Sequence, residues 1–337
     1  MDQRLISWVE EIRNKNHSSG AALLIMQDNQ TVLEHYSGTQ SNTPTALPVT
    51  SGTRFNIASA RKSYLGLAAA YAVYEGKIVS IDAPAVDYFP EWDRDLLRGV
   101  TIRHLITHSH GLHLTEEDTP YREFPPGEDW AYRGINILMM TELVARLYGK
   151  SFPQLLQERV FEPLGFTETG WEVTPGENLA EVIVNPAEKA ISSLGTAGDG
   201  SESNLFVSAR ELALWGNLHL NMGKDADGRQ VVPSEVIKLV TSIQSPPYEK
   251  RDLPQNGFFW YVQGEPAARS ELGERVSKGS YQILGVTGPT VLVMPELNAV
   301  VVKMYNKRYN YGGDHYLHYL REFSNLAADG LKGERVR

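Results

Sequence analysis

The order of hydrophobic patterns along this 337-residue chain predicts an α+β fold. In it an antiparallel β-sheet is built from both chain ends and flanked by helices, with a mostly helical domain inserted between them. Three observations predict it. A two-strand pattern lies near the N-terminus, several strand patterns follow Gly257, and helical periodicity with helix stops dominates from Ser59 to Gly170. The implied division is 1–58 with 205–337 as an α/β domain, and 59–204 as the helical domain.

Taken in order, the opening MDQRLISWVEEIRNKN puts Leu5, Trp8, Val9 and Ile12 on one face of an amphipathic helix. Residues 21–26 and 31–36 flank Asp28-Asn29-Gln30 and read as a β-hairpin. Residues 38–53, rich in Gly, Ser, Thr and Pro, form a loop into a helix that begins near Ser59. Gly66, Ala68, Ala69, Ala70 and Ala72 mark that helix as one buried all round. Residues 78–92 are surface turns, and Thr101 is the predicted N-cap of a short helix over 101–108.

Residues 114–130 are acidic and predicted as loop. The apolar helix Ile135–Tyr148 is closed by Gly149, and a second helix over 152–160 is stopped at Pro163-Leu164-Gly165. Loops fill 172–204. Leu212, Trp215, Leu218 and His219 give a helix over 208–222, and 233–242 is helical as well. Strands follow at 258–262, 282–286, Thr290–Met294 and Ala299–Tyr305, with Pro295-Glu296-Leu297-Asn298 as a hairpin turn, and a helix over 315–328 closes the chain.

Composition removes several function classes. Hydrophobic content of 42% with 22% charged residues is that of an ordinary globular protein. A net charge of -9 with no basic stripe argues against nucleic acid or an anionic membrane as partner. The absence of cysteine excludes disulfides, thiol catalysis and cysteine metal sites. No apolar run approaches a membrane span, and the N-terminus lacks the apolar core of a secretory signal. The expected location is therefore cytoplasmic as written, or extracytoplasmic if a leader has been removed. There is no dinucleotide-binding or phosphate-loop glycine pattern and no Gly-x-Ser-x-Gly elbow.

Chemistry concentrates at Ser59-Ala60-Arg61-Lys62, the one Ser-x-x-Lys in the chain. On a helix this spacing brings the hydroxyl and the amine to one face. A serine becomes a nucleophile when a neighbouring base takes its proton, and a lysine becomes that base when burial lowers its pKa. The helix start also offers unsatisfied N–H groups to an oxyanion. Against this stands a metal reading of His104, His108, His110 and His113. His104 and His108 share a helical face, but Ser109-His110-Gly111 breaks the helix and no nearby acid completes a ligand set, so no metal and no cofactor are expected.

The surrounding segments resemble the serine β-lactamase and penicillin-binding-protein superfamily, in particular its class C-like branch of β-lactamases, esterases and D-aminopeptidases. FNIASARK is similar to the nucleophile motif of that family. VTIRHLITHSHGL, PPGEDWAYRGINILMMTELVARLYGKSF, FEPLGFTETGW and SARELALWGNLHLNMG follow in the family order and cover nearly the whole chain. The resemblance implies a β-lactamase/transpeptidase-like fold with the active site between the two domains. It implies Ser59 as acylated nucleophile, Lys62 as proton acceptor and Tyr132 as the tyrosine that shuttles protons with it.

Two departures stand out. Gly134 replaces the asparagine of the family's Tyr-x-Asn motif, leaving Asn136 as the nearest substitute for holding a substrate amide. The family's Lys/His-Thr/Ser-Gly strand corresponds by spacing from Pro295-Glu296 to Ile283-Leu284-Gly285, which lacks the cation. The Val286 N–H remains as an oxyanion donor. Loss of that cation costs a substrate carboxylate ~1.5–3 kcal/mol. The expected partner is a small acyl substrate, either an ester, an amide or a D-amino-acid peptide, with β-lactams possible. The alternative is a non-hydrolytic penicillin-binding or ligand-sensing relative.

Overall fold

The computed structural model describes residues 3–309 and 311–335. Its main sheet has six strands in the order Gln30–Gly38, Gly20–Gln27, Ala299–Tyr305, Thr290–Met294, Tyr281–Leu284, Tyr261–Val262, every neighbouring pair antiparallel. The N-terminal hairpin turns at Asp28 and Asn29, both with positive φ, as a tight turn matched to strand twist requires. Its inner strand pairs with the last strand from Ala21↔Tyr305 to Gln27↔Ala299. The α+β architecture built from both chain ends is thus observed.

Alternation along the strands divides the core. Ala21, Leu23, Ile25, Leu292 and Val301 face one way and pack on Leu5, Val9 and Ile12 of the Gln3–Lys15 helix and on Phe323, Ala327 and Ala328 of the Tyr316–Arg335 helix. Ala22, Leu24, Met26, Val291, Val293, Val300 and Val302 face the other way, into the larger core that holds the Ala209–Leu220 helix. Gly216 lets that helix lie close on the sheet, since a Cβ there would come within 2.6 Å of Val300.

Beyond it lies the Lys62–Tyr74 helix, every residue of which from Lys62 to Ala72 is buried. It packs against the helices Ile135–Tyr148, Phe152–Leu156 and Ser234–Thr241. With apolar residues on all sides it has no solvent face to display periodicity.

Several boundaries differ from expectation. A second sheet joins Arg54–Asn56, Leu205–Ser208 and Thr169–Trp171, where no strand was expected. Each strand is too short for alternation to register. Leu112–Leu114 and Pro120–Arg122 form a ribbon that runs into the loop expected over 114–130. The 101–108 helix keeps its Thr101 cap but ends at Ile106, because His108 takes φ +60°. His108 therefore leaves the face that carries His104. Phe259, with φ +66°, shortens the 258–262 strand to Tyr261–Val262.

Candidate active site

The nucleophile candidate sits on a strained turn. Ala58 has φ +45°, which for a non-glycine residue costs about 1–2 kcal/mol. Asn56 holds the turn in place. Its side chain accepts the Ala58 N–H at 2.8 Å and donates to the Ser203 carbonyl at 2.8 Å, while its own carbonyl accepts from the Thr287 hydroxyl at 2.7 Å. The following turn, Ala58–Arg61, is 3₁₀, and in that geometry side chains three apart eclipse. Ser59 and Lys62 consequently stand one above the other, and Lys62 Nζ donates to Ser59 Oγ at 2.9 Å.

Lys62 is 7% exposed. Burial first, and Arg61 beside it second, push its pKa down to about 7 against the opposing pull of Glu271. The same ammonium donates to the Tyr132 hydroxyl and lies 4.2 Å from the centre of its ring. Tyr132 is 42% exposed as a residue, yet burial around its hydroxyl raises its pKa above the ordinary value, so it is a neutral phenol at pH 7.

Three contacts fix the Tyr132 segment. The His108 ring stacks on it at 4.9 Å, the Ala131 N–H donates to the His108 carbonyl at 3.0 Å, and Trp130 Nε1 donates to Asn256 Oδ1 at 2.9 Å. His108 is fully enclosed, and burial together with the nearby Lys62 holds its pKa well below the usual imidazole range. The other histidines of this segment, for which packing or loop hydrogen bonds were expected over metal ligation, have separate partners. His104 Nδ1 accepts the Thr101 N–H, His110 Nδ1 the Leu112 N–H and His113 Nδ1 the Leu114 N–H.

Ile283, Leu284, Gly285 and Val286 line a cleft of about 230 Å³ together with Ser59, Lys62, Trp130, Tyr132, Phe259, Tyr261, Glu271 and Tyr316. The Gly285 N–H is used by the Pro289 carbonyl at 2.9 Å. Among the described residues no acceptor takes the N–H of Ser59 or of Val286. Gly285 must be glycine, since a Cβ would lie 2.2 Å from the Ile57 carbonyl oxygen.

Two expected substrate contacts are corrected. Asn136 is fully buried and gives its amide N–H groups to the Leu105 carbonyl at 2.6 Å and toward His108 at 3.2 Å, so it cannot reach the cleft. Gly134 caps the Ile135–Tyr148 helix and does not line the cleft either. Sequence reasoning missed Glu271 and Tyr261. Glu271 belongs to a loop with no period and no motif, and nothing in the sequence alone points to it.

A family model described as Beta-lactamase matches residues 5–324. An uncharacterized protein of Alkalihalophilus pseudofirmus is 44% identical over 308 residues, covering 91% of this chain and 90% of that one. A β-lactamase of Escherichia coli K12 is 25% identical, covering 73% of this chain and 68% of its own length. A putative D-alanyl-D-alanine carboxypeptidase of Escherichia coli O157:H7 is 24% identical, covering 86% and 78%. Among solved structures, EstCE1, described as a hydrolase with promiscuous acyltransferase activity, shares the fold. Its TM-score is 0.73 at 18% identity, covering 96% of this chain and 98% of that chain.

Proposed function

The chain belongs to the Beta-lactamase family across residues 5–324, and on that premise we propose that it is a serine hydrolase that forms an acyl-enzyme on Ser59 and hydrolyses a small ester, amide or D-amino-acid peptide. One observation carries the proposal: Lys62 Nζ touches both Ser59 Oγ and the Tyr132 hydroxyl in a buried setting that lowers its pKa to about 7. A neutral amine is therefore abundant at neutral pH.

In this mechanism the neutral Lys62 takes the Ser59 proton as Oγ attacks the carbonyl. The N–H groups of Ser59 and Val286 receive the oxyanion. Tyr132 relays the proton from Lys62 to the leaving group, whose departure leaves the acyl ester on Ser59. Water then loses a proton to the same pair and attacks the ester, and Ser59 recovers its proton as the acid leaves. The cleft lies, in this proposal, between the sheet domain of 1–58 with 205–337 and the helical domain of 59–204.

Ile283 stands where the resembling family carries a cation, so a penicillin carboxylate finds no charged partner on this strand. Neutral esters and amides are favoured over β-lactams. The test is hydrolysis of p-nitrophenyl butanoate with fluorophosphonate labelling read by intact mass. Turnover should vanish in Ser59→Ala together with the adduct; wild-type turnover by that variant would overturn the proposal.

A non-hydrolytic, ligand-holding relative is the second reading. It is favoured by the burial of Asn136 and the absence of a side chain at Gly134, which leave that segment without a grip on a substrate amide. It predicts a stable Ser59 adduct that forms once and does not turn over.

A further inference from the structure

The cleft's charges run opposite to those of a site built for an anionic substrate. Among its lining residues the two formal charges are Lys62 and Glu271. Lys62 must be uncharged to act as a base, which leaves Glu271 as the one charge facing the substrate in the reactive state. Trp130, Tyr132, Tyr261, Phe259 and Tyr316 line the same cleft, and of these Tyr132, Tyr261 and Tyr316 interact with the Glu271 carboxylate. A carboxylate among aromatic faces is the composition that binds an organic ammonium group, which gains Coulomb attraction from the one and quadrupole attraction from the others.

Glu271 is held where it is. Its carbonyl accepts from Gln282 Nε2 at 3.2 Å, tying it to the Tyr281–Leu284 strand. On its C-terminal side the Gly273 N–H donates to Ser324 Oγ at 2.8 Å and the Gly273 carbonyl accepts from Gln263 Nε2 at 3.1 Å. Leu272 is buried in the core. Among the described residues no cation lies within ion-pair distance of the Glu271 carboxylate, although the neighbouring Arg269 is drawn off toward Asp129. The residue is half-buried, and Lys62, the cation that acts on its carboxylate, does so from beyond ion-pair distance.

We propose that Glu271 is the receptor for a cationic group on the substrate, so that the preferred substrates are acyl donors carrying an ammonium near the scissile carbonyl. The inference rests on the serine-hydrolase proposal above and narrows its substrate class. A substrate ammonium seated at Glu271 does two things. It supplies a counter-ion at contact distance, and by like-charge repulsion it favours the neutral form of Lys62, the form that takes the Ser59 proton. Substrate binding thus helps to arm the base.

The groups facing Glu271 are Lys62, Tyr132, Tyr261 and Tyr316, with Arg61 behind Lys62 and Arg269 near Tyr316. Burial raises the Glu271 pKa to about 7, and the Tyr261 hydrogen bond and Lys62 act against it. An ammonium binds the ionised carboxylate, so the preference strengthens as pH rises through about 7.

The test compares p-nitrophenyl 3-aminopropanoate with p-nitrophenyl butanoate, in which a methyl replaces the ammonium, and with p-nitrophenyl hemisuccinate, in which a carboxylate does. At pH 8 the wild type should favour the ammonium ester over butanoate by about tenfold or more in kcat/KM, with hemisuccinate poorest. In Glu271→Gln the ratio of ammonium ester to butanoate should fall to near one, whatever the absolute rates. A wild-type ratio at or below one, or a ratio unchanged in the variant, overturns the inference.

Calorimetric titration with n-butylammonium chloride reads the same site without turnover. Binding to the wild type that weakens about tenfold in Glu271→Gln supports the inference, and no binding to the wild type overturns it. Butanoate turnover that survives in Ser59→Ala refutes the serine-hydrolase proposal instead, so the two failures are distinguishable.

Discussion

The imidazole of His108 lies against the phenol ring of Tyr132, ring centres 4.9 Å apart and planes inclined by 28°. The φ of +60° at His108 turns the chain out of the preceding helix and sets the ring there. His108 does not line the cleft itself and acts by holding Tyr132, which makes it a positioning residue. His108→Ala should lower kcat about 10–100-fold with KM little changed, and His108→Phe should recover most of the loss. Equal loss in both variants would show that stacking is not what the ring supplies.

As the proposed base, Lys62 should set the acid limb of activity. Its pKa is depressed to about 7, and the base works only without its proton, so kcat/KM should rise with pH through about 7 and level above it. Lys62→Arg keeps the charge and forfeits the neutral form, and should cost about 10²–10⁴-fold at pH 8. A pH profile flat from 5 to 8 in the wild type would contradict the assignment.

Gly285 separates the cleft strand from the Ser59 turn by less than a methyl group. In Gly285→Ala the new carbon would meet the Ile57 carbonyl oxygen at 2.2 Å, forcing the strand and the turn apart. The expected result is a stability loss of roughly 1–3 kcal/mol. Activity should fall about 100-fold, more than the stability loss accounts for, because the donors at Ser59 and Val286 move relative to each other. Chemical denaturation and steady-state kinetics on one preparation separate the two effects.

Lys303 carries a second buried amine, far from the chemistry. It sits within the last strand of the main sheet against the rings of Phe323, Tyr305 and Trp8, at 4.7, 5.2 and 5.7 Å. Burial depresses its pKa to about 7. Unfolded, the same lysine titrates near ~10.4. Between those values the unfolded chain holds a proton that the folded chain does not, so this group makes stability rise with pH by up to about 1.4 kcal/mol per unit. Below about 7 the cost of the buried charge is present in full. Lys303→Met should therefore stabilise the protein most at pH 6 and progressively less toward pH 10. Urea denaturation of both proteins across that range checks it, and a pH-independent difference would be the contrary result.

What could be read from the residues alone follows from length and repetition. The N-terminal hairpin and the strands at Thr290–Met294 and Ala299–Tyr305 are long enough for their pattern to register, and the apolar Lys62–Tyr74 helix declares itself by its small residues. Ser59, Lys62 and Tyr132 were legible because a spacing of three and a family motif carry them, and the structure brings all three together. Leu205–Ser208 was hidden because four residues leave no room for a period, and they run straight into a helix capped by Ser208. Glu271 was hidden for a different reason: its place in the cleft comes from Gln282, Ser324 and Gln263, all distant in sequence or silent in pattern. Asn136 misled because proximity to Tyr132 in sequence says nothing about which side of a helix start faces the cleft.

The pairing of residues 20–27 with 299–305 has a consequence for synthesis. On the ribosome the hairpin of residues 20–38 emerges well before its future neighbour at 299–305, which follows tens of seconds later at ordinary elongation rates. Throughout that interval Leu24, Met26 and their neighbours present an apolar, hydrogen-bond-hungry edge with nothing to close it. Nascent chains arrested before residue 299 should bind chaperones and aggregate, and release of the completed chain should end both.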